Sequence, residues 1–124
     1  MSKEIAYSDE IGAVVITYSG QAPAAMVQSA IQAAYQLAVE KESKRFLVDC
    51  SKMEPGGGST LDIYDLAGMF EQFPEIRKYK DAIILPPIPE GAEDLKFFET
   101  TARNRGFNVR VFTDRQAAID WLAE

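Results

Sequence analysis

A chain of 124 residues is long enough for one hydrophobic core and too short for two, and an apolar content of 47% is ordinary for a globular domain. The formal net charge of −6 argues against nucleic acid as a partner, because a surface of that sign repels phosphate backbones. One cysteine and no histidine leave no parts for an internal disulfide, a structural zinc site, a His-dependent triad or a Cys-His dyad.

Further exclusions follow from the order of residues. No window reaches the ~18–20 consecutive apolar residues of a membrane span, and Met1-Ser2-Lys3-Glu4 does not begin a secretory signal. With the lone Cys50, this fits a reducing, cytoplasmic setting. No metal or cofactor is expected, and only carboxylate or lysine chemistry stays open.

Taken in order, the chain predicts nine elements. Glu4–Asp9 alternates Ile5 and Tyr7 as a strand with one buried face. After Glu10-Ile11-Gly12, the β-branched run Ala13–Ser19 reads as a central strand, so the chain opens on an antiparallel hairpin. Gly20 ends that strand, and Pro23 suits a first helical turn. Over Pro23–Lys41, Met26, Val27, Ala30, Ile31, Ala34, Leu37 and Ala38 form an apolar stripe opposite Gln28, Gln32, Gln36 and Glu40. Phe46–Cys50 is the next strand, and a strand–helix–strand succession implies a right-handed parallel crossover.

A loop is predicted over Lys52–Gly58, then a helix from Thr60 to Gln72, broken at Phe73-Pro74. Asp81–Leu85 reads as a buried strand, and Pro86-Pro87-Ile88-Pro89 as a stiff extended loop. Gly91–Arg105 is a helix with Leu95, Phe98 and Ala102 inward and Gly106 as its left-handed stop. Phe107–Phe112 alternates as an edge strand, with Phe107, Val109 and Val111 on one face and Asn108 and Arg110 on the other. Thr113 or Asp114 caps a last helix carrying Ala118, Ile119, Trp121 and Leu122. The order β-β-α-β-α-β-α-β-α predicts one α/β domain over residues 1–124, with a mixed five-stranded sheet parallel except for its first strand.

The opening hairpin, the Ala-rich first helix, the strand ending Val48-Asp49-Cys50-Ser51, the glycine loop before a short helix, and the closing Asn104–Phe112 and Ala117–Leu122 stretches resemble the STAS superfamily, in its SpoIIAA-like branch. The resemblance covers nearly the whole chain and implies binding rather than catalysis. Anti-sigma-factor antagonists of this kind dock on a kinase-like partner through the loop after the third strand and the following helix. There a Ser or Thr in an Asp-Ser-Ser/Thr-Gly setting is phosphorylated. Ser59 and Thr60 stand in that region, with Gly58 in place of the Asp and Leu61 or Asp62 in place of the Gly. Other SpoIIAA-like proteins are grouped with the CRAL-TRIO lipid-binding fold, which implies a small apolar ligand instead.

The residues themselves leave alternatives. Ser59 and Thr60 suit helix capping as well as phosphorylation, and a phosphate there would gain from the helix N-terminus. Gly56-Gly57-Gly58 is either a flexible turn or an anion cradle, but not a Walker loop. Cys50 reads as a small core hydrophobe. Asp49, Glu54, Asp62 and Asp65 read as a solvated acidic face before a metal or acid–base pair. On the predicted helix over 60–72, Leu61, Ile63, Tyr64, Leu66, Ala67, Met69 and Phe70 cover more than one face. Either neighbouring loops fold over the surplus, or it is a contact surface or the lid of an apolar pocket.

The function expected is therefore a non-catalytic regulatory domain that binds a protein partner or itself as a dimer. Its surface would comprise Ser51, Gly57, Gly58, Leu61, Ile63, Tyr64, Met69, Phe70, Phe73, Pro86, Pro87 and Ile88. The alternative is a carrier or sensor of a small apolar, lipid-like ligand under the second helix.

Overall fold

The structure, a computed structural model, describes residues 2–21, 24–54 and 78–124. Alternating Ile5 and Tyr7 place β1 (Ser2–Ser8) antiparallel to β2 (Ala13–Gly20), with Ile5 opposite Ile16 and Tyr7 opposite Val14. Gly12 turns the chain between them at φ 64°, a conformation that glycine adopts without steric penalty. α1 (Ala24–Glu40) returns the chain to β3 (Arg45–Met53), which is parallel to β2. β4 (Lys80–Ile84), α2 (Pro89–Asn104), β5 (Asn108–Phe112) and α3 (Arg115–Ala123) complete the described chain. The sheet order is β1-β2-β3-β4-β5, and every pairing after the first is parallel. This is the mixed α/β sheet the sequence predicts. The predicted second helix over 60–72 lies outside the described residues.

Both faces of the sheet are packed. On one, Val14, Ile16 and Tyr18 of β2, Phe46 and Cys50 of β3, Ile83 of β4 and Val109 of β5 meet Ala30, Ala34 and Ala38 of α1 and Phe98 and Ala102 of α2. The three alanines recur every fourth residue, so α1 lies close on the strands beneath it. A sheet whose strands follow chain order, joined by right-handed crossovers, keeps its helices on one face, and α1 and α2 share one. The other face carries Ala13, Leu47, Ala82 and Ile84 against Ala118, Trp121 and Leu122 of α3.

Two predicted boundaries are corrected. The loop expected from Lys52 instead begins after Met53, because β2 continues to pair with β3: Ser19 lies opposite Lys52 and Gly20 opposite Met53. A partner strand supplies backbone hydrogen bonds that composition does not reveal. Pro89, assigned to the stiff loop, is the first residue of α2. Its missing N–H has no helical partner at that position, and its fixed φ suits the first turn.

Six hydrogen bonds, in three groups, tie separate elements together. Ser43, buried after α1, donates its hydroxyl to the carbonyl of Gly12 at 2.8 Å and accepts from the Arg45 N–H at 3.3 Å. Lys80 Nζ donates to the carbonyls of Trp121 at 3.0 Å and Glu124 at 2.9 Å, holding the end of α3 against the start of β4. At the outer edge of β5, the N–H of Val111 donates to Glu99 Oε2 at 2.7 Å, and an Arg103 guanidinium nitrogen donates to the carbonyl of Val109 at 3.0 Å.

Candidate functional site

The candidate site is the rim at the carboxyl ends of the parallel strands. β3 and β4 are neighbours, with Asp49 opposite Ile84, so the chain leaves the sheet after Met53 and after Ile84 at the same edge. β3 runs further, and among the described residues its last ones pair only with β2. Between the pairs Thr17–Asp49 and Ser19–Lys52, β3 holds one more residue than β2, a bulge. A bulge leaves one residue without a ladder partner. Here the Ser51 N–H donates to Asp49 Oδ1 at 2.9 Å, and the Ser51 hydroxyl donates to the same oxygen at 2.6 Å.

The second Asp49 oxygen accepts from Arg115 at 3.0 Å, so both carboxylate oxygens are engaged. Asp49 is only 16% exposed, against 52% for Arg115. This corrects the solvated-face reading of Asp49: the carboxylate orders the bulge and pins the first residue of α3 to β3. Sequence reasoning missed Arg115, which lies 66 positions away. Asp114, one residue earlier, accepts from the Ala117 N–H at 3.0 Å as the cap of α3.

The β4 side of the rim is built from backbone. Leu85 N–H donates to the carbonyl of Phe112 at 2.8 Å, carrying the β4–β5 pairing one step past the strand. Pro86 is then buried, Pro87 exposed and Ile88 half-buried, and the Ile88 carbonyl accepts from the Ala92 N–H as α2 begins. Of the predicted surface, the structure therefore brings Ser51 and Pro86, Pro87 and Ile88 to one edge of the sheet. Gly57, Gly58, Ser59, Thr60, Leu61, Ile63, Tyr64, Met69, Phe70 and Phe73 lie outside the described residues.

Below the rim, the ionisable groups of the core include Cys50, Tyr18 and Asp81. Cys50 is 2% exposed, and burial, then the nearby Asp49 and Asp81 charges, push its thiol up to about 12. Burial, with Cys50 and Asp81 next in weight, also raises the Tyr18 hydroxyl far above its ordinary range. Asp81 as a residue is half-buried, yet its Oδ1 is enclosed and has no hydrogen-bond partner among the described residues, and burial raises its carboxyl to about 7. These groups are held in their neutral forms through ordinary acidic conditions, which suits packing and not nucleophilic chemistry. Among the described residues, no three Asp, Glu, Cys or His side chains are grouped to hold a metal, and no helix is long and apolar enough to cross a membrane.

The sequence matches no protein-family model and no curated protein. Among solved structures, an anti-sigma factor antagonist from Mycobacterium paratuberculosis superposes with a TM-score of 0.60 at 16% identity, over 99% of this chain and 94% of that one. An uncharacterised protein of the DUF3478 family from Shewanella loihica PV-4, described as having a SpoIIAA-like fold, superposes with a TM-score of 0.58 at 18% identity, over 98% and 92% of the two chains. The fold is SpoIIAA-like. The hairpin, the sequential parallel strands and the terminal helix of this chain are thus those of the SpoIIAA-like fold across nearly its full length, in agreement with the resemblance read from Val48–Ser51 and the closing helix.

Proposed function

We propose that this SpoIIAA-like domain is a non-catalytic regulatory module that binds a protein partner through the rim formed by the end of β3, the segment that follows it and the Pro86–Ile88 loop. The observation that carries this reading is the adjacency of parallel β3 and β4, which releases both segments at one edge. There Ser51, held in the bulge by Asp49, and Pro87 of the proline loop are exposed on one rim, and a conformationally restricted surface costs less to order on docking. Similarity to an anti-sigma factor antagonist supports a regulatory role. Ser59 and Thr60, which follow the glycine run, are the hydroxyls whose phosphorylation would add charge to this surface and release an acidic partner.

Lysine positions make the test direct. Lys52 lies exposed near the end of β3, whereas Lys44 lies exposed before its start, at the opposite edge of the sheet. Amine cross-linking in the native host, read by mass spectrometry, is expected to join a recurrent partner to Lys52 and not to Lys44. Replacing the exposed Pro87 by Arg is expected to abolish those cross-links while leaving the circular dichroism spectrum unchanged. Partner cross-links concentrated at Lys44, or unaffected by P87R, would overturn the assignment.

A further inference from the structure

The two edges of the sheet are treated differently. At the β5 edge, Glu99 and Arg103 of α2 occupy the backbone N–H of Val111 and the carbonyl of Val109, which blocks strand addition there. The β1 edge meets no further strand among the described residues, and the exposed Glu4 and Ala6 and the half-buried Ile5 and Tyr7 lie along it. From these observations we infer that β1 pairs antiparallel with β1 of a second copy, on a two-fold axis through Ile5, joining two sheets into one of ten strands.

Register selects this arrangement. Side chains alternate between faces, so a continuous two-fold sheet can place its axis on one residue but not between two. An axis on Glu4 sets that carboxylate against its own copy and is excluded by like charge. An axis on Ala6 leaves the start of β1 unpaired. An axis on Ile5 pairs all seven residues of β1: Ser2 with Ser8, Lys3 with Tyr7, Glu4 with Ala6, and Ile5 with itself. No like charges then stand directly opposite. Lys41 already lies over the Tyr7 ring, 5.8 Å from its centroid. Its exposed side chain can turn to solvent as Lys3 of the second copy approaches.

The helix above the edge fits the same axis. α1 rests about equally on β1 and β2, and Lys3 Nζ donates to Ser29 of its flank at 3.1 Å. With strands ~4.8 Å apart, two such helices related by the axis would run antiparallel about 10 Å apart, close to the ~8–10 Å of packed helices. From Ala24 to Val39, α1 carries no charged residue, in a chain that is 26% charged. Its exposed positions include Ala25, Ser29 and Ala33 at four-residue spacing and Val39, which is 55% exposed. Small uncharged side chains let the helices approach without stranding a charge.

The test uses Ala6, whose side chain is exposed and opposes Glu4 of the second copy twice in the pair. Sedimentation across a concentration series is expected to show a dimer. Ala6→Glu should weaken it by at least about tenfold, Ala6→Lys should hold or tighten it, and Glu4→Lys combined with Ala6→Glu should restore it, all with unchanged circular dichroism. In the unaltered protein, hydrogen exchange of β1 amides should slow as concentration rises. A monomer at every concentration, a dimer indifferent to A6E, or equal loss in A6E and A6K would overturn the inference. Failure of these tests leaves the Lys52 cross-linking expectation untouched, since that rests on a different edge.

Discussion

Asp81 is a carboxyl enclosed in an otherwise apolar sheet face. It lies opposite Phe46 and Val109 on strands to either side, with an enclosed Oδ1 that has no hydrogen-bond partner among the described residues and a carboxyl raised to about 7 from its ordinary 3.8. Below the ordinary value, both folded and unfolded chains carry the proton and no penalty arises. Between about 4 and about 7 the unfolded chain ionises first, so stability falls as pH rises, and it levels off above the folded value. The full loss is on the order of 4 kcal/mol as an upper figure. Urea titrations of Asp81→Asn are expected to show stability similar to the parent at pH 4 and clearly higher at pH 8. A parent whose stability is flat across that range would remove the argument.

At the scale of elements, the ends and edges decide more than the middles. α3 is fixed at its start by the Asp114 cap and the Arg115–Asp49 pair, and at its finish by Lys80. The Arg115 link is half-exposed and contributes little to stability, so its role is positional. β5 owes its closed edge to Glu99 and Arg103. Replacing Glu99 by Ala leaves the Val111 N–H without its 2.7 Å acceptor and should cost about 1 kcal/mol. Hydrogen exchange should then quicken at Val111 by more than at the β2 and β3 amides, and uniform exchange across the sheet would contradict that role.

For the whole molecule, the terminal helix is what closes the second face. Leu122 is 1% exposed and packs with Leu47, Ile84 and Trp121. Truncating it to Ala should cost ~2–5 kcal/mol, and denaturant unfolding should lose midpoint without loss of slope. A changed slope would mean that α3 unfolds separately from the sheet.

Local grammar made the elements legible. Ile5 and Tyr7 in alternation, the Ala30-Ala34-Ala38 stripe, Gly20 at the end of β2, Gly106 in left-handed backbone and a cap at Thr113 or Asp114, which falls to Asp114, all act within a few residues of themselves, and each appears where sequence places it. Register and burial are not local. β3 runs on to Met53 because β2 lies beside it, Asp49 is engaged because α3 returns to it, and Asp81 is enclosed because helices cover its strand face. Periodicity reports which face of an element is apolar, whereas the partner that face or edge meets is chosen only when strands separated by tens of residues come together in one order.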